Sequence, residues 1–241
     1  MTSIPGPIHT GEAHAKNDLG ERSNRIRAAV LGANDGIVSI AGLVLGVAGA
    51  TTDNAALQAA GLAGLVAGAL SMGVGEYVSV SSQRDTEHAA VERERAELAS
   101  DPEGELRELT GFYVQRGLSP ALAQQVAVEL TANDALAAHS QAELNIEPGN
   151  YVNPWSAAIT STLSFTLGAM IPLLAILLSP VGLRVPITVI AVIVALAITG
   201  YLSAKLSGAA MSKALARNII GGSLAMGVTY LIGHLFGSSV A

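Results

Sequence analysis

The 241-residue chain contains no cysteine, which excludes disulfides, iron–sulfur clusters and thiolate metal sites. Any metal it handles must be held by oxygen, imidazole or thioether. Charged residues are scarce at 13%, and aromatic residues scarcer at 4%, with a single tryptophan. There is no basic excess, because the formal net charge is −6; that argues against a nucleic-acid partner and favours a cation. Phosphate-binding loops, nucleophile elbows and paired Glu-x-x-His motifs are also missing. The chain is therefore not expected to be an enzyme, and no cofactor is implied beyond a metal ion.

What is present is apolar sequence in long uncharged blocks, half of all residues, studded with 26 glycines. Blocks of about 20 such residues match a hydrocarbon core about 30 Å thick. The reading is an all-α polytopic membrane protein with five transmembrane helices, lying in a lipid bilayer. Spans are expected at about 26–50, 55–82, 156–178, 185–204 and 218–236. Residues 1–24 read as a disordered tail whose His9 and His14 are solvated. Residues 25–82 hold spans one and two, 83–150 a polar insert, and 151–241 spans three to five.

Residues 83–150 carry 13 of the 19 acids against 5 of the 13 basic residues, a formal charge of −8. The insert reads as three helices: a continuation of span two to about Ser100, a second from about Pro102 to Arg116, and a third from Ser119 to about Asn145, breaking near Ala132–Asp134. Leu106, Leu109, Phe112, Leu122, Val126 and Leu130 are expected to form its small core. With the N-terminus cytoplasmic, 12 of 13 basic residues fall on the cytoplasmic side and only Arg184 lies outside, so the insert is expected to be cytoplasmic.

The stretch from Ser71 to Leu98 starts as membrane-grade sequence and ends as a carboxylate-rich helix, with no proline between. Met72 and Glu76 are one helical turn apart, a thioether beside a carboxylate, which suits a transition metal such as Fe2+ or Mn2+. Asp35 lies about nine residues into span one, where an ionisable group normally faces a cavity, a partner or a permeant ion. The plainer alternative is an aspartate hydrogen-bonded to Asn34 or to another helix, serving only as polar glue. In the insert, Glu94 and Glu97 are spaced i, i+3, as are Glu105 and Glu108. Four such carboxylates either converge on a divalent ion or form a solvated face interleaved with Arg93, Arg95 and Arg107. His139 and Glu143, spaced i, i+4 on the third insert helix, could complete a metal site. About 18 residues, roughly 27 Å of helix, separate Glu76 from Glu94, so one ion cannot bridge both.

RAAVLGANDGIVS in span one, AGALSMGVGEYVSVSSQRD in span two and VERERAEL after it closely resemble the vacuolar iron transporter family. The resemblance runs from about Ile26 onward. It implies a homodimer that moves Fe2+, often Mn2+ as well, out of the cytoplasm in exchange for protons. It further implies that Asp35 and Met72 line the pathway, and that Glu94, Glu97, Glu105, Glu108 and Glu143 belong to a cytoplasmic metal-binding domain. His139 and Ser140 stand where that pattern has two methionines, which makes the insert site harder. The host is expected to be a bacterial inner membrane, or a vacuolar-type membrane if the source is eukaryotic. A reading of a different class is a membrane-anchored metal sensor or store that transports nothing.

Overall fold

The structure, a computed structural model, describes residues 16–208 and 210–240. The first 15 residues of the expected tail, including His9 and His14, lie outside the described residues. The tail's remaining residues, 16–24, are helical, because helix α1 already begins at Lys16.

Among the described residues there are seven α-helices, and the chain is all-helical. They are α1 Lys16–Ala50, α2 Asn54–Ser100, α3 Pro102–Gln115, α4 Pro120–His139, α5 Pro154–Leu178, α6 Arg184–Ser207 and α7 Met211–Val240, with a π-helical turn at Ser140–Leu144 after α4. Five of these, α1, α2, α5, α6 and α7, are long and apolar enough to cross a membrane. Helix α7 starts at Met211, about two turns before the expected span, because nothing between Met211 and Asn218 breaks a helix. Pro172 lies inside α5, which continues past it. Helix α2 runs unbroken for 47 residues, about 70 Å, more than twice what the hydrocarbon core needs. Its first half, in which Glu76 is the one charged side chain, is apolar enough to cross a membrane, and its second half is rich in charge.

The chain divides into two compact units, one of Met1–Val78 with Pro154–Ala241, the other Ser79–Asn153. In the first, α1 is the hub and packs against α5, α6 and α7. Ile37, Ile40, Ala41, Val44 and Leu45 of α1 meet Phe165, Leu173 and Ile176 of α5, Leu196 of α6 and Met226 of α7 in one apolar core. Small residues set the spacing. A Cβ on Gly36 would lie 2.1 Å from the Phe165 carbonyl oxygen, and one on Gly233 would lie 1.8 Å from that of Gly46. Backbones touch at these points, as they must where dispersion rather than hydrophobic exclusion holds helices together. Asp53 caps α2 by accepting the Ala55 and Ala56 N–H groups at 3.0 and 3.3 Å. Buried Arg184, the first residue of α6, donates to Asn54 Oδ1 at 2.7 Å and Thr52 O at 3.3 Å, tying α6 to the α1–α2 turn.

In the second unit, Asp101 ends α2 and caps α3 by accepting the Gly104 N–H at 2.9 Å, with Pro102 in the first helical position. Gly117, at φ +100°, ends the α3 turn. Leu109, Ala127 and Ala142 form the core with Leu106 and Phe112. Two expected core residues, Leu122 and Leu130, are exposed instead. Helix α4 turns Ala123 and Ala127 inward, and these small side chains let α4 sit close while the leucines flank the contact. Asp134 breaks α4 at φ −158°, ψ 96°, where a break is expected, and then accepts the Ala137 N–H at 3.0 Å.

Candidate metal centres

Two groups of potential ligands form, one in each unit. In the first unit, Asp35, Met72 and Glu76 all line a single cleft of about 330 Å³. Helices α1 and α2 form it, closed at the back by Phe165, and Gly64 and Gly68 keep the α2 wall flat. Asp35 accepts the Ser39 hydroxyl at 2.8 Å, so its hydrogen-bond partner is one turn along its own helix rather than Asn34. Met72 packs its side chain against the apolar core. Glu76 is 8% exposed and accepts a hydrogen bond from Arg27 Nη2 at 2.5 Å. Sequence reasoning counted Arg27 only as a topology signal; its pairing crosses 49 residues and leaves no local trace.

In the second unit, single ligand atoms of Glu94, Glu105 and His139 lie within 4.8 Å of one another. His139 Nδ1 stands 3.0 Å from Glu94 Oε1 and 3.4 Å from Glu105 Oε2. Glu94 and His139 are buried, and neither that carboxylate oxygen nor either imidazole nitrogen makes a hydrogen bond. Buried, unpartnered ligand atoms on Glu94 and His139, with the Glu105 carboxylate beside them, are costly unless a cation joins them.

The electrostatics agree. Burial, then the charges of Glu143, Glu105, Glu97 and Glu108, push the Glu94 carboxyl up to about 7. Burial and neighbouring carboxylates also raise Glu105 and Glu143 above the usual carboxylate range. Burial holds His139 below the usual imidazole range, which keeps it neutral and ready to donate a lone pair. All five insert glutamates singled out from the sequence thus interact, though Glu97, Glu108 and Glu143 stand more exposed than Glu94. His88, by contrast, stacks on Tyr151 with centroids 4.2 Å apart, and Glu92 pairs with Arg95.

Residues 26–234 match the model of the VIT family. The chain is 42% identical over 236 residues to a vacuolar iron transporter of Acanthamoeba castellanii, covering 95% of this chain and 84% of that protein. It is 37% identical over 223 residues to vacuolar iron transporter homolog 5 of Oryza sativa subsp. japonica, covering 92% and 85%. Vacuolar iron transporter homolog 4 of Arabidopsis thaliana is 37% identical over 222 residues, covering 92% and 88%. These relatives are named as transporters, not as enzymes.

Proposed function

The chain belongs to the VIT family, and on that premise we propose that it is a multi-pass membrane transporter of Fe2+, and of Mn2+ as well, exporting metal from the cytoplasm in exchange for protons. The observation that carries this reading is the cleft in which Asp35, Met72 and Glu76 stand together on membrane-grade helices. A protein merely anchored in a bilayer has no use for two carboxylates and a thioether along one groove. The vacuolar iron transporters among its relatives support iron as the cargo.

Carboxylates that lose metal can take up protons, which gives the cleft a means of coupling the two fluxes. Asp35 and Glu76 would supply hard oxygen ligands and Met72 a softer sulfur, a set that discriminates against Mg2+. Exposed Ser39, Ser71 and Gly75 leave the cleft open along one side. A second copy of the chain would cover that side, and we propose a homodimer.

The second unit would act as the cytoplasmic metal-binding domain. Glu94, Glu105 and His139 would hold the ion, while Glu97, Glu108 and Glu143 would draw it in and complete its shell. With the N-terminus also cytoplasmic, captured metal would be stored or presented on the side from which export starts. A sensor or store without transport remains the competing class, and flux separates the two. Full-length protein in liposomes with an internal pH dye should couple Fe2+ movement to opposite proton movement. Metal binding without any flux would favour the sensor.

A further inference from the structure

The ion pair between Arg27 and Glu76 has no role in holding metal, yet it occupies one of the carboxylates proposed to do so. We propose that Arg27 is a tethered counter-cation that competes with the transported ion for Glu76. The inference rests on the transport reading of the cleft.

Three observations carry it. Arg27 Nη2 contacts Glu76 Oε1 at 2.5 Å, so this carboxylate carries a bound positive charge before any metal arrives. The partners differ in exposure: Glu76 is 8% exposed, whereas the Arg27 side chain is 53% exposed. The guanidinium is therefore the partner that water can receive when another cation takes its place. Finally, Leu31 lies one turn on from Arg27 in α1 and lines the cleft with Glu76, which puts the guanidinium at the cleft's end.

Glu76 therefore becomes available when another cation, a metal ion or the proton of the exchange cycle, takes the place of the guanidinium. A divalent ion brings twice the charge in a compact form and gains Met72 and Asp35 as further ligands. A monovalent ion brings no more charge than the guanidinium and has little affinity for a thioether. Arg27 would thus set a threshold that Fe2+ and Mn2+ pass and Na+ and K+ do not.

The test is the KM for Mn2+ uptake by full-length protein in liposomes, compared among wild type, Arg27→Gln, Glu76→Gln and the double variant. Arg27→Gln should lower the KM about fivefold, the effect of losing a half-exposed competing ion pair. In the Glu76→Gln background the same change should do nothing. Arg27→Lys, which keeps the charge, should stay near wild type. An unchanged or raised KM in Arg27→Gln, with a lower maximal rate, would make Arg27 a strut between helices and overturn the inference. If wild type moves neither Mn2+ nor Fe2+, it is the transport reading that fails. In that case Mn2+ binding to solubilised protein with the insert silenced by Glu94→Gln and His139→Gln decides about Arg27: tighter binding on adding Arg27→Gln supports it, and equal binding overturns it.

Discussion

His139 Nδ1 stands 3.0 Å from Glu94 Oε1, both buried and neither hydrogen-bonded. A neutral imidazole and a carboxylate held this way want an ion between them. His139→Gln in the full-length protein should therefore weaken metal binding at the insert by roughly tenfold or more, the scale on which ligand-shell losses act. Mn2+ titration followed by electron paramagnetic resonance measures this. Undiminished affinity would return the carboxylates to a solvated acidic face. His139→Met should recover binding of Fe2+ better than of Mn2+, because thioether favours the softer ion.

The raised Glu94 carboxyl gives the metal-free insert a pH dependence of definite sign. Folded Glu94 keeps its proton up to about 7, while the unfolded chain releases it near the ordinary carboxylate value of 4.5. Between those values the folded state binds more protons, so stability is full below about 4.5 and is lost as pH rises through 7. Glu105 and Glu143 act in the same direction. His139, with its lowered value, acts oppositely below 6.5, one group against three. Protection of α3 amides in metal-free protein, taken as exchange relative to the intrinsic rate at each pH, should be greater at pH 5 than at pH 8, and Glu94→Gln should remove much of the difference. Metal binding should show the complementary trend, weakening as pH falls below about 7 because protons compete for the carboxylate.

Close backbone contact at Gly36 makes a third prediction. Gly36→Ala forces a methyl to within 2.1 Å of the Phe165 carbonyl oxygen, and should cost about 1–3 kcal/mol as overpacking. Gly221→Ala, with nothing within 4 Å of the added carbon, should be neutral. Thermal unfolding in detergent compares the two, and equal melting temperatures would contradict the packing described for α1 and α5.

Much of this molecule was legible before its structure. Uncharged blocks located the five long helices, Pro102 and Ser119-Pro120 located helix starts, and Ala132–Asp134 located the break in α4. Spacing placed Glu94 with Glu97, Glu105 with Glu108 and His139 with Glu143 but left a solvated acidic face equally open; that Glu94, Glu105 and His139 come together is visible only in the folded chain. What stayed hidden depends on distant partners. Leu122 and Leu130 fit a helical core pattern, yet tight packing goes to Ala123 and Ala127, since leucine and alanine differ in how near they let a helix come. The Arg27–Glu76 and Arg184–Asn54 contacts join residues 49 and 130 positions apart, and no periodicity records such pairs. The central place of α1 was also invisible, because the compositional contrast along the chain is greatest in α2.

The most direct measurement of the central claim is Fe2+ flux into liposomes bearing wild type, Asp35→Asn or Asp35→Ala. Among the described residues, Asp35 pairs only with a hydroxyl on its own helix, which leaves its carboxylate open to a passing ion in the cleft. Both variants should fold, bind metal at the insert as wild type does, and lose about tenfold or more of the flux, as expected when a pathway charge at membrane depth is removed. Flux at the wild-type level in Asp35→Ala would contradict the account.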